Sequence, residues 1–165
     1  AGMLIDTNNF MAKTGVRTFE AAAYLRRNGA DMTRVRKMLR ENMQAYKARA
    51  EVVRNAEVYR DTFAISVCDS SNLESPTVVG AQAANELLDI TGIKASFVLT
   101  DFQKKIYISA RSIDEIDVQM IMERMGGGGH LNFAGAQIEG KTIEEVTAEI
   151  RELLDRLIEE GEIVL

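Results

Sequence analysis

The chain has few of the residues that staple, kink or coordinate: its 165 residues include one cysteine, one proline and one histidine. A single cysteine excludes an intramolecular disulfide framework and suits a reducing compartment. The lone proline, with 46% apolar and 27% charged residues, excludes a disordered or low-complexity chain. One histidine and Cys68 are too few for a self-contained metal centre, and neither HxxEH nor CxxC spacing occurs. No run approaches the roughly eighteen uninterrupted apolar residues of a membrane span. No charged-then-apolar leader is visible, so a signal peptide is not expected either. The chain opens Ala1-Gly2-Met3, which leads us to expect further sequence upstream. Its length fits one ordinary domain or two small ones.

The net charge of −5 hides an asymmetry. Residues 1–60 carry twelve Lys/Arg against six Asp/Glu, residues 61–138 five against ten, and residues 139–165 three against nine. A basic first third attracts phosphates, whereas the acidic remainder excludes a general nucleic-acid-coating protein.

Residues 1–60 read as helical. Thr18 can cap a helix carrying Phe19, Ala22, Ala23 and Leu25 that Asn28-Gly29 would stop. Asp31 can cap a second, and a longer helix is expected over roughly 43–59. No β signal is visible here, and the layer is too thin for a complete core. From residue 61 the pattern alternates. Residues 62–68 form a strand candidate, and Ser75-Pro76 opens a helix. Residues 94–101 and 105–111 form two strands joined as a hairpin. A helix follows at about 115–125, and Thr142 with Glu145 has the spacing of a capping box. The fold class expected is α/β: a helical part over 1–58, then a mixed sheet flanked by helices over 59–165.

The strongest local signal is Gly126-Gly127-Gly128-Gly129-His130. One glycine suffices to end a helix, and four impose an entropic cost that a simple turn does not require. Bare backbone lets successive N–H groups converge on an anion, and a short helix starting near His130 would add its own donors. A flexible loop followed by an incidental histidine is the alternative. Upstream, strand alternation puts Ile106, Ile108 and Ala110 on one face and Tyr107, Ser109 and Arg111 on the other. That pairs a hydroxyl with a guanidinium suited to phosphate, although a solvated strand-end arginine reads the same way. Asp6, after Met3-Leu4-Ile5, can bind a divalent metal or simply cap a turn. Cys68 reads as a packing residue, as do Met120, Met122 and Met125.

Together these motifs resemble a known family. Ser109-Ala110-Arg111-Ser112, then Ile116-Asp117, the Gly126–His130 run and Ala134-Gly135 are similar to the DHHA1 domain of DHH-type phosphoesterases. Asp6-Thr7-Asn8-Asn9-Phe10 with Thr14-Gly15-Val16-Arg17-Thr18-Phe19 resembles the end of the preceding DHH domain in membrane-anchored bacterial cyclic-di-AMP phosphodiesterases. The resemblance implies a hydrolase that converts cyclic di-AMP to linear pApA with two Mn2+ ions. It places Asp6 among the metal ligands, and Ser109, Arg111, Ser112, Gly126, Gly127, Gly128, Gly129 and His130 at the substrate. It also implies the cytoplasmic part of a membrane-anchored protein, with no membrane contact by this segment, and is compatible with a homodimer. The DHH triplet and the other metal ligands are absent from this sequence, so catalysis is expected to be incomplete. Two other readings are a fragment of a short-RNA or single-strand exonuclease of the same superfamily and a stand-alone nucleotide-binding module.

Overall fold

The computed structural model describes residues 1–11, 13–113 and 116–164. The chain forms two compact units, residues 1–42 and 43–165. Among the described residues, no helix is long and apolar enough to cross a membrane.

The first unit holds α1 (Gly2–Asp6), α2 (Val16–Arg27) and α3 (Met32–Met38). Asn8, Asn9 and Phe10 all adopt positive φ. Thr7 ties this turn together: its Oγ1 donates to the Met3 carbonyl at 2.7 Å and accepts from the Phe10 N–H at 3.0 Å. Asp31 caps α3 as expected, accepting from the Thr33 N–H at 2.8 Å. Thr18 sits one turn inside α2 instead of at its cap, where its Oγ1 accepts from the Gly15 N–H. No residue of these three helices is buried, and Phe19, Leu25, Met32 and Met38 are exposed. Among its described residues the unit therefore shows no hydrophobic core of its own.

The second unit runs α4 (Met43–Arg54), β1 (Glu57–Tyr59), β2 (Phe63–Cys68), α5 (Pro76–Leu87), β3 (Ala95–Phe102), β4 (Lys105–Ser112), α6 (Val118–Arg124), β5 (Gly128–His130), β6 (Phe133–Glu139) and α7 (Ile143–Glu159). The helix expected over 43–59 stops at Arg54 because Glu57–Tyr59 pairs antiparallel with β2. Arg60 and Asp61 supply the left-handed turn, at φ of 52° and 56°. A hairpin turned by an Arg-Asp pair, without glycine, carries no turn signature in the sequence. The helix expected from about residue 115 starts at Val118, and its first expected residue, Glu115, lies outside the described residues.

The sheet order is β1-β2-β3-β4-β6-β5, with β2 and β3 parallel and every other pair antiparallel. The β3–β4 hairpin turns at Gln103 and Lys104, both at positive φ. One face carries the larger core, where Phe63, Phe97, Leu99 and Ile108 meet Ile121 and Met122 of α6 and Ile150, Leu154 and Leu157 of α7. Thr142 and Glu145 close the predicted capping box that starts α7. The other face packs α5 and Val52 of α4 over Ala64, Cys68 and Val98. Cys68 is buried there, and that burial pushes its thiol pKa up, so it acts as a packing residue. Small residues let α5 approach closely: a Cβ on Gly80 would stand 2.6 Å from Thr100 Oγ1. Two buried serines also bind this layer to the sheet. Ser66 Oγ donates to the Val52 carbonyl and Ser96 Oγ to the Ala84 carbonyl, each at 2.6 Å. Both carbonyls lie in the last turn of their helices, where the backbone cannot satisfy them itself.

Candidate functional site

Cross-strand register assembles the site on the α5 side of β4, β6 and β5. Residues directly opposite in an antiparallel ladder point to the same face. Tyr107 faces Gln137, Ser109 faces Gly135, which faces Gly128, and Arg111 faces Phe133, which faces His130. The alternation read from the sequence holds: Ile106, Ile108 and Ala110 are buried on the opposite face. Two glycines in the middle row leave the floor of a cavity of about 530 Å³. Thr77, Tyr107, Ser109, Gly128, Gly135 and Gln137 line it. Thr77 belongs to the first turn of α5, so the positive end of that helix borders the cavity.

Arg111, which follows Ser109 on the same face of β4, is half-buried and does not itself line the cavity. Its Nε donates to Asn85 Oδ1 at 3.0 Å and its Nη1 to the Ala110 carbonyl at 2.8 Å and the Ala134 carbonyl at 3.5 Å. Among the described residues, Nη2 has no hydrogen-bond partner and the guanidinium has no carboxylate partner. Burial lowers its pKa from the ordinary value, yet a guanidinium stays cationic at neutral pH. The result is an oriented positive charge that no carboxylate among the described residues neutralises. His130 is exposed at the end of the same row, with its ring edge-on to Phe133 at a centroid distance of 4.7 Å.

The glycine run serves several purposes. Gly126 and Gly127 end α6: their N–H groups donate to the Glu123 and Met122 carbonyls, at 3.0 and 2.8 Å. Those two donors are therefore not available to an anion. A Cβ on Gly127 would lie 2.1 Å from the Gly135 carbonyl oxygen, and one on Gly129 would lie 2.4 Å from Ala134 Cα. Both glycines are thus required by the close approach of β6. Gly128 differs, since its missing Cβ would meet nothing within 4 Å. It faces the cavity, and no packing contact accounts for it. In place of a short helix at His130, residues Gly128–His130 form the edge strand β5.

Ser112 lies on the opposite face, buried, where its Oγ donates to the Leu131 carbonyl at 3.3 Å and accepts from Asn132 Nδ2 at 3.4 Å. It braces the β5–β6 turn and does not join Arg111. Asp6 is the exposed last residue of α1. No group of three His, Cys, Asp or Glu side chains able to hold a metal occurs among the described residues. The donor set present therefore does not fit the two-manganese centre implied by the resemblance. Sequence reasoning missed Thr77 and Gln137. Gln137 shares the parity of Gly135 and so is legible once β6 is recognised, whereas Thr77 reaches the cavity only through the packing of α5.

The DHHA1 domain family matches residues 62–160. Cyclic-di-AMP phosphodiesterase PdeA of Listeria monocytogenes is 43% identical over 156 residues, which cover 94% of this chain and 24% of that protein. Cyclic-di-AMP phosphodiesterase GdpP of Geobacillus thermodenitrificans is 41% identical over 162 residues, covering 98% and 24%. The chain thus spans about a quarter of the length of these curated relatives. In fold it is similar to an exopolyphosphatase-related protein from Bacteroides fragilis, with a TM-score of 0.83 at 22% identity, over 94% of this chain and 48% of that one. On the match of its second unit and on its identity to these relatives, the chain belongs to the DHHA1 domain family.

Proposed function

We propose that this chain is the substrate-holding part of a phosphodiesterase that converts cyclic di-AMP to linear pApA, and that it does not complete the reaction alone. The observation that carries this reading is Arg111, a half-buried cation with no carboxylate partner among the described residues, on the same strand face as Ser109, which lines an open glycine-floored cavity. Arg111 Nη2 and the Ser109 hydroxyl donate to a phosphate oxygen, His130 donates from the end of the row, and Gly128 leaves the phosphate room. These groups orient the ester and offset its charge. The described residues do not fit a metal pair, so bond cleavage is not assigned to them. The relatives named above support cyclic di-AMP as the substrate. Membrane anchoring and any homodimer belong to the parent protein.

Calorimetric titration with cyclic di-AMP tests this reading. Arg111→Ala is expected to weaken binding by about 1–3 kcal/mol, the range for a charge-assisted hydrogen bond. Unchanged affinity would reject the site. Manganese-dependent hydrolysis by this chain alone would reject its catalytic incompleteness. Faster degradation of longer strands than of cyclic di-AMP by a protein extended upstream would favour the exonuclease reading.

A further inference from the structure

We infer that Tyr107 and Gln137 form the nucleobase end of the cavity, and that the Gln137 amide selects adenine over guanine. This rests on the phosphate-binding reading above and adds the groups that recognise the rest of the ligand. Both residues line the cavity itself, next to the row of Ser109, Gly135 and Gly128. Register places them directly opposite one another on that face. Tyr107 is half-buried, and among the described residues its hydroxyl has no hydrogen-bond partner and its ring no aromatic or cationic partner. Gln137 is exposed, and among the described residues its amide makes no hydrogen bond.

The order of rows along the strands follows the order of groups in a nucleotide. Tyr107 stands two residues from Ser109, and Gln137 two from Gly135, a step of about 7 Å that one ribose bridges between phosphate and base. On one side this end of the cavity is walled by α5, which contributes Thr77 and brings Gly80 against Thr100, the β3 partner of Tyr107. On the other side the pairing of β5 stops at Gly135, so among the described residues no strand covers Gln137. An aromatic ring takes any base by its π-face, so Tyr107 supplies affinity without choice. The choice comes from Gln137. A side-chain amide offers a donor and an acceptor side by side, which match the N7 acceptor and the N6 amino donor of adenine together. Guanine presents two acceptors, N7 and O6, on the same edge and leaves the amide oxygen unmatched.

Chemical-shift titrations up to millimolar ligand, with cyclic di-AMP, cyclic di-GMP and inorganic tripolyphosphate as separate probes, test the assignment. The unsubstituted chain is expected to prefer cyclic di-AMP to cyclic di-GMP. Gln137→Ala is expected to weaken cyclic di-AMP about tenfold or more and to leave tripolyphosphate unchanged. Gln137→Arg, whose guanidinium donates to both acceptors of guanine, is expected to reverse the preference. Tyr107→Leu is expected to weaken both dinucleotides about tenfold, whereas Tyr107→Phe keeps the ring and their affinity. Arg111→Ala is expected to weaken all three probes. An unaltered ratio between the two dinucleotides in Gln137→Ala and Gln137→Arg, with loss in Arg111→Ala, overturns the base assignment and leaves the phosphate site standing. Equal loss of all three probes in Gln137→Ala or in Tyr107→Leu also overturns it, by showing a role that does not involve the base. No effect of Arg111→Ala, or no binding of any probe by the unsubstituted chain, overturns both.

Discussion

Alanine substitution at Gly127, Gly128 and Gly129, three of the four consecutive glycines, should separate those needed by the fold from the one needed by the ligand. At Gly127 a Cβ would stand 2.1 Å from the Gly135 carbonyl oxygen and 2.7 Å from Ala136 Cα. At Gly129 it would stand 2.4 Å from Ala134 Cα and 2.5 Å from the Phe133 carbonyl oxygen, and φ is 153°. These obstacles are backbone atoms of β6, which β4 and β5 hold from both sides. They cannot swing away as a flexible side chain would. Overpacking of this kind costs about 1–3 kcal/mol, and the backbone strain at Gly129 adds on the order of 1 kcal/mol. With a urea m-value of about 1–3 kcal/mol per molar, each substitution should lower the unfolding midpoint by roughly 1 M. Gly128→Ala meets nothing within 4 Å. Restricting the unfolded chain should then stabilise it by about 0.4–1 kcal/mol. Its new methyl group projects into the cavity that Gly128 lines, so cyclic di-AMP binding should weaken while the midpoint holds or rises. Equilibrium urea unfolding and calorimetric titration on the three variants measure both quantities. A Gly128→Ala variant that unfolds as early as Gly127→Ala, or that binds like the unsubstituted chain, refutes the division.

Three further outcomes are expected. His130→Ala should weaken cyclic di-AMP in titration, by up to about 1–3 kcal/mol if the contact is charge-assisted, and should leave the urea midpoint unchanged because the side chain is exposed. Ser96→Ala removes the hydroxyl that satisfies the buried Ala84 carbonyl at 2.6 Å, and should cost about 1–3 kcal/mol in urea unfolding; a Ser96→Ala midpoint equal to that of the unsubstituted chain rejects the capping role. Asp155 has its carboxyl pKa lowered by the Tyr59 hydroxyl, which donates at 2.7 Å, and by Arg60. A lowered folded-state pKa gives stability that is present above the unfolded Asp value of about 3.9 and lost as pH falls through the folded value. Asp155→Asn should therefore be less stable than the unsubstituted chain at neutral pH and converge with it in strong acid. Parallel curves across that range would show that the carboxylate contributes nothing.

Elements with a local signature are legible in the sequence. The Thr142–Glu145 capping box, the apolar stripe of α7, Asp31 at the start of α3 and the alternation of β4 each depend on residues a few positions apart. The oddity of four adjacent glycines beside the only histidine is equally plain, as are Ser109 and Arg111 on one strand face. The purpose of these residues is not. β1 and β5 have three residues each, too few for a period to show, and a turn of Arg60 and Asp61 carries no conventional signal. Strand register is set by pairing between residues distant in the chain, and only that pairing lines up Arg111, Phe133 and His130. Alternation along β4 sends Ser112 to the opposite face, and the packing of α5 brings Thr77 to the cavity. By itself the sequence determined the α/β class, the long helices and the phosphate-suited residue types. The tertiary structure decided which of those residues share a surface and which glycine is left open to a ligand, because both depend on how closely β4, β5 and β6 approach.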